Sequence, residues 1–262
     1  SHLIHHRFHL RLEIDNVDAF AIAKDMIERN LIHEISFMDH TPGQGQYRNL
    51  EIYREALDKY HGMENEGKTF GEVLEYHRKK EMLSLEQLQE LAELAHKNHI
   101  TVASHDDDTV EKLQLNQQLG IDISEFPITE DVDKAAHNMG FYTIAGAPNI
   151  LLGGSHSGNM SAAQAIQNDS VDILCSDYFP QALLHSLFVM QSQYGQSLPD
   201  VVNKVSRNPA KAMHIDKDYG TIEVGKKADL VIVDILDGYP VITHVLVDGK
   251  TTSRVEYRGH SI

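Results

Sequence analysis

The sequence predicts an α/β protein: a parallel sheet with helical crossovers, closed as a barrel or opened as a doubly wound layer, followed by a small β appendage. Three observations predict it. Short apolar runs of period two alternate with stretches of helical period from residue 6 to residue 176. Side chains able to ligate a metal stand at the C-terminal ends of four of those runs. Beyond residue 220 the helical period stops, and Ile222, Leu230 to Val233 and Val241 to Val247 lie between Gly225, Gly238 and Gly249. A length of 262 residues suits one large core, or a barrel with an appendage. With 41% hydrophobic and 24% charged residues, the composition is that of a packed globular chain.

The elements follow in order. His6 to Ile14 alternates, with Phe8, Leu10, Leu12 and Ile14 on one side and Arg7, His9, Arg11 and Glu13 on the other. Residues 16–30 read as a helix with a stripe of Val17, Phe20, Ile22, Met26 and Ile27, capped by Asp15 or Asn16. A strand over Ile35 to Asp39 opens into the turn Thr41-Pro42-Gly43-Gln44-Gly45. Residues 41–80 are polar, with helical stretches at Leu50 to Lys59 and Phe70 to Lys79, and read as an inserted lid or a solvated helical pair. Ser84 and Gln87 open a helix carrying Leu85, Leu88, Leu91, Leu94 and Ala95, and Ile100 to Ser104 returns as a strand. A helix over Val110 to Leu119 precedes strands at Asp122 to Phe126 and Phe141 to Ala145, with a helix around Val132 to Asn138 between them. The glycine-rich loop 153–159, a helix over Ala162 to Ile166 and a strand over Asp172 to Ser176 complete the alternation. The expected division is 1–215 for the sheet-and-helix portion, with its helical insertion at 41–80, and 216–262 for the small β domain.

A net charge of −16 argues against nucleic acid or an anionic membrane as partner, since both require a basic face. The single Cys175 cannot form an internal disulfide and reads as a small buried apolar residue, and no apolar run approaches the roughly 20 residues of a membrane span. The start of the chain has no basic-then-apolar signal pattern, so a soluble cytoplasmic protein is expected. Seventeen histidines are the one unusual count.

Glu13, His40, His105 and Asp177 each fall at or just beyond the C-terminal end of a predicted strand. Alternation places Arg11 with Glu13, Met38 with His40, Ala103 with His105 and Cys175 with Asp177 on a common face, while Leu12, Phe37, Val102 and Leu174 take the opposite one. A lone strand-end histidine is more often a structural hydrogen-bonding residue than a ligand; four metal-capable residues of matching parity weaken that reading. Imidazole and carboxylate suit divalent ions, Zn2+ first with Mn2+ or Fe2+ as alternatives, one or two per site. The expected chemistry is hydrolysis by a metal-activated water, with Asp177 taking its proton.

Several motifs carry a resemblance. Asp39-His40-Thr41-Pro42-Gly43-Gln44-Gly45-Gln46, Ala103-Ser104-His105-Asp106-Asp107, Glu125-Phe126-Pro127, Gly146-Ala147-Pro148-Asn149, Gly153-Gly154-Ser155-His156-Ser157-Gly158-Asn159 and Ser176-Asp177-Tyr178 resemble the phosphonate-metabolism branch of the amidohydrolase superfamily. Asn208-Pro209-Ala210, Gly220-Thr221-Ile222 and Val247-Asp248-Gly249 add a pattern common to the whole superfamily. The resemblance implies a (β/α)8 TIM-like barrel, here N-terminally incomplete with strands about 4 to 8, plus the small C-terminal β domain. It implies Glu13 at the bridging position usually held by a carboxylated lysine, His40 and His105 as fifth- and sixth-strand ligands, and Asp177 as the last-strand carboxylate. The first-strand His-x-His of the superfamily has no counterpart, and His5-His6-Arg7-Phe8-His9 does not replace it, because that cluster lies on the Glu13 strand. An incomplete barrel leaves edges and apolar surface to cover, so a homo-oligomer is expected. The implied substrate is a small phosphorylated molecule whose triphosphate is cleaved to release diphosphate. Arg11, Gln44, Gly153, Gly154, Ser155, His156, Ser157 and Asn159 would hold it, although a glycine-rich loop alone would equally be a plain connection. Hydrolysis of a C–N bond in a cyclic amide or nucleobase, and a non-catalytic binding or assembly chain, stand as alternatives.

Overall fold

A computed structural model describes residues 4–47, 49–51, 53–54, 70–154 and 160–257. Six strands, β1 (His9–Glu13), β2 (Glu34–Met38), β3 (Thr101–His105), β4 (Ile123–Glu125), β5 (Tyr142–Gly146) and β6 (Ile173–Cys175), lie in chain order in one sheet, each parallel to its neighbour. The crossovers are α1 (Ala19–Glu28), then α2 (Phe70–Arg78) and α3 (Leu85–Lys97), α4 (Val110–Gln118), α5 (Glu130–Asn138), and the pair α6 (Ala147–Leu152) and α7 (Ala162–Gln167). Three further helices, α8 (Ala182–Tyr194), α9 (Leu198–Asn203) and α10 (Arg207–Ala212), precede an antiparallel sheet of β7 (Leu230–Leu236), β8 (Tyr239–Val247) and β9 (Lys250–Arg254).

Period-two alternation sorts the two faces of the parallel sheet. Leu12, Ile35, Phe37 and Val102 face outward and pack with Ile27 of α1, Leu88 and Leu91 of α3, Leu113 of α4 and Val132 of α5 in the main core. The register places Arg11 beside Ser36 and His105 beside Glu125 on the inner face, so the polar set shares one side of the sheet. α3 begins where a capping box ties it down: the Ser84 hydroxyl accepts from the Gln87 N–H, and the Gln87 side chain accepts from the Ser84 N–H.

Several expectations are corrected. The first strand starts at His9 rather than His6, and Phe8 before it is half exposed. Six parallel strands are one more than a span from a fourth to an eighth strand contains, so that strand numbering does not transfer one to one. Ile222 is in no strand and is exposed, whereas β9 forms from the polar run Lys250–Arg254. The helical stretch expected at Leu50 to Lys59 falls largely outside the described residues. No helix of the described residues is long and apolar enough to cross a membrane.

A candidate metal centre at the strand ends

Three non-glycine residues take left-handed backbone conformations at or just beyond the ends of parallel strands: Asp106 (φ +52) after β3, Phe126 (φ +56) after β4 and Asp177 (φ +49) two residues after β6. Such conformations persist where the surroundings enforce them, and they concentrate at functional sites. The enforcement after β3 is visible. Buried Asp107 accepts hydrogen bonds from the Ser104 and Ser124 hydroxyls and from the Asn116 amide, while Lys112 Nζ donates to the His105 carbonyl at 3.1 Å. The loop after β2 is held to the same turn, because the Gly45 N–H donates to the Asp108 carboxylate at 3.2 Å.

Two imidazoles meet in front of this turn, with ring centroids 5.7 Å apart. His40 donates from Nδ1 to Glu13 Oε1 at 2.8 Å, which leaves its Nε2 facing Asp106 Oδ2 at 3.8 Å. His105 donates from Nδ1 to Glu125 Oε2 at 3.1 Å, and its Nε2 lies 3.6 Å from Asp106 Oδ1 and 3.4 Å from Arg11 Nη2. A guanidinium has no acceptor, so the Arg11 contact makes this Nε2 the bare nitrogen. In both rings, then, a glutamate fixes the tautomer and turns the lone pair toward Asp106, the arrangement in which carboxylates orient metal-binding histidines.

The charges follow from these contacts. The hydrogen bond from His40 to Glu13 raises the His40 pKa above its ordinary value, against the effect of burial. Burial raises the Asp106 carboxyl, and the His105 and His40 rings only partly offset it. Glu125 sits below the ordinary carboxyl range: burial opposes its ionisation, but the His105 hydrogen bond and the charges of His9 and His105 outweigh it.

The donor set fits a divalent cation. One ligand atom each of His40, His105 and Asp106 lies within 4.8 Å of the others. Asp106 Oδ2 is buried with no hydrogen-bond partner among the described residues, a cost that a cation would remove. Arg11 would have to release His105 Nε2 for that nitrogen to ligate.

The centre opens on a cavity of about 400 Å3 lined by Arg11, His40, His105, Asp106, Asp177 and Gly154, with Phe126 and Tyr178 on its walls. Of the residues singled out in the sequence, His40 and His105 meet at the centre, and Glu13 stands behind His40 as its hydrogen-bond acceptor. Asp177 and Arg11 line the cavity, as does Gly154. Gln44 is exposed in the turn after β2 and Gly153 caps α6; neither lines the cavity. Ser155, His156, Ser157 and Asn159 lie outside the described residues. In the sequence, Asp106 and Glu125 stand out only as parts of the resembling motifs. Alternation assigns Asp106 to the face opposite His105, and only its left-handed backbone returns it to the cavity. Glu125 was legible, since it shares the parity of the inner face.

A parallel α/β sheet with imidazoles and carboxylates gathered at its C-terminal strand ends is the layout of a metal-dependent barrel. The chain belongs to the amidohydrolase family, whose family model matches residues 13–252. It is 37% identical over 251 residues to the alpha-D-ribose 1-methylphosphonate 5-triphosphate diphosphatase of Escherichia coli (strain K12), covering 94% of this chain and 65% of that protein. It thus spans just under two thirds of that relative's length. A shorter match of 34% over 80 residues is to the imidazolonepropionase of Legionella pneumophila (strain Corby), 26% of this chain and 20% of that protein. Among solved structures, an adenosine deaminase from Xanthomonas campestris with bound zinc superposes with a TM-score of 0.55 at 16% identity, over 93% of this chain and 59% of that one. An amidohydrolase from Thermotoga maritima MSB8 gives 0.52 at 20% identity, over 80% and 55%. These likenesses place the fold in the TIM-barrel class.

Proposed function

We propose that this chain forms the metal-binding part of a hydrolase of phosphonate metabolism, which cleaves the triphosphate of a ribose 1-methylphosphonate 5-triphosphate and releases diphosphate. The observation that carries the reading is the pair of glutamate-pinned imidazoles converging on the unpartnered Asp106 oxygen at the mouth of the cavity. The extended identity to the E. coli diphosphatase supports the substrate class.

His40, His105 and Asp106 would hold the cation, with Zn2+ first and Mn2+ or Fe2+ as alternatives. A bound divalent ion lowers the pKa of a water from about 15.7 toward about 7 and offsets phosphate charge. Asp177 accepts the proton of the attacking water; the water oxygen forms a bond to phosphorus as the phosphoanhydride bond breaks, and Asp177 passes the proton on to the departing diphosphate. Arg11 and the backbone N–H groups of the 153–159 loop bind phosphate oxygens, with Gln44, Ser155, His156, Ser157 and Asn159 completing the substrate shell. Glu13 acts on this centre by orienting His40, or as a ligand through its second oxygen. The protein works as a homo-oligomer in the cytoplasm.

The short match to an imidazolonepropionase favours, as the second reading, hydrolysis of a C–N bond in a cyclic amide. Diphosphate release and ring opening of a cyclic amide, each followed on Zn2+-loaded protein, separate the two. Asp177→Asn is expected to abolish diphosphate release while metal content and fold persist; unchanged turnover would remove Asp177 from the mechanism. Ring opening without diphosphate would favour the second reading, and neither product a binding role.

A further inference from the structure

Below the rim centre, on the same inner face, the sheet carries a second set of ligating side chains that the proposed reaction does not use. His9 on β1, Glu34 on β2 and Glu125 on β4 each offer one ligand atom, all within 4.8 Å of one another. His9 Nδ1 lies 3.6 Å from Glu34 Oε2, and His9 Nε2 lies 3.9 Å from Glu125 Oε1. Ser36 stands between them, touching His9 Nε2 and donating to Glu125 Oε2 at 2.8 Å.

Two features set this cluster apart from an ordinary polar network. Both carboxyls are largely buried in the sheet interior, yet no hydrogen bond from any described residue reaches the Glu34 side chain. Glu125 divides its two oxygens: Oε2 takes the Ser36 and His105 hydrogen bonds, and Oε1 is turned toward His9. One imidazole with two facing carboxylates leaves a net charge of −2 when ionised, and it offers the mixed nitrogen and oxygen donors that borderline divalent ions accept.

We propose that His9, Glu34 and Glu125 form a second divalent-cation site, of the Zn2+ or Mn2+ class, one layer beneath the rim centre and linked to it through the Glu125–His105 hydrogen bond. The site stands on its own geometry and does not depend on the reaction proposed above. Occupying it neutralises the facing carboxylates and fixes the Glu125 carboxylate that orients His105. Glu34→Gln keeps the size of the side chain while removing one charged donor, which makes it a mild substitution for folding.

The test is Zn2+ stoichiometry, measured by equilibrium dialysis and elemental mass spectrometry on the whole chain and on two variants, with circular dichroism as the folding control. The expected result is that Glu34→Gln binds one equivalent less than the unmodified chain, and that Asp106→Asn loses a different equivalent. If Glu34→Gln fails to fold, His9→Asn replaces it, with the same loss expected. Equal Zn2+ content in the unmodified chain and a folded Glu34 or His9 variant overturns the inner site. A single equivalent removed by Asp106→Asn but kept by Glu34→Gln also overturns it and leaves the rim centre standing. The converse, one equivalent lost only with Glu34 or His9, supports the inner site and overturns the rim centre.

Discussion

Gly45 is the residue through which the loop after β2 shapes the centre. Its φ is +50, and a Cβ there would lie 3.0 Å from Asp106 Cβ and 3.2 Å from the Asp106 carbonyl oxygen. Neither neighbour is the far end of a flexible side chain. Gly45→Ala is therefore expected to displace Asp106, and a supporting change of that kind is expected to weaken Zn2+ binding about tenfold. Dialysis against Zn2+ checks this; unchanged affinity would mean that the loop, not Asp106, gives way. Asp133 makes a different residue-scale case. It is fully buried on α5, its Oδ2 accepts from Ser170 and its Oδ1 has no partner among the described residues. Burial raises its pKa from 3.8 to about 6. A carboxyl raised on folding contributes stability that is complete below its unfolded pKa and is lost as pH rises through about 6. Asp133→Asn removes that dependence, so its advantage over the unmodified chain should be larger at pH 7.5 than at pH 5, by on the order of 1 kcal/mol. Urea unfolding at the two pH values measures it, and parallel shifts would show that Asp133 does not titrate in this range. What the sequence could carry at this scale was parity: His40, His105, Arg11 and Glu125 all lie where alternation puts them. Asp106 was hidden because its exposure to the cavity depends on one backbone dihedral, which no spacing encodes.

Elements were legible wherever a periodic apolar pattern faced a single core. The six parallel strands and the helices α1, α3, α4 and α5 have such patterns, and α3 adds a capping box readable as Ser84 and Gln87. The misses have physical reasons. α6 carries Pro148 in its first turn, where proline is tolerated although it reads as a breaker. α8 is apolar around most of its circumference, so no stripe marks it. β9 is a polar edge strand defined by its pairing with β8 rather than by alternation. The join between the helices and the small sheet depends on a close approach at Gly220, where φ is +90 and a Cβ would fall 2.6 Å from Ala210 Cβ and 3.0 Å from the Ser206 carbonyl. Gly220→Ala is expected to cost about 2 kcal/mol or more, through the strained backbone together with the overlap against α10. Thermal unfolding with the parallel-sheet and small-sheet signals followed separately would test it; a fully retained midpoint would mean that the turn can open without cost.

At the scale of the whole molecule the dominant fact is the charge of −16. Opposite charges do pair on the surface, as in Lys24 with Glu90 at 2.5 Å, Lys134 with Glu130 at 2.6 Å and Lys227 with Asp248 at 2.8 Å. Exposed pairs of this kind contribute little and are screened by salt. The sixteen uncompensated negative charges act in the other direction, since their mutual repulsion in the compact state exceeds that in an expanded chain. The Debye length falls from roughly 30 Å at 0.01 M salt to about 8 Å at 0.15 M, short enough to suppress repulsion across the molecule while neighbouring pairs retain part of their attraction. The two effects compete, and the surplus of one sign decides. The metal-free chain is therefore expected to gain thermal stability, by roughly 2–4 °C, as sodium chloride rises over that range. Scanning calorimetry at constant pH above 7, with divalent ions chelated, reads the effect directly. A falling midpoint would mean that the local pairs outweigh the net charge, and that the surface is better ordered electrostatically than its composition implies.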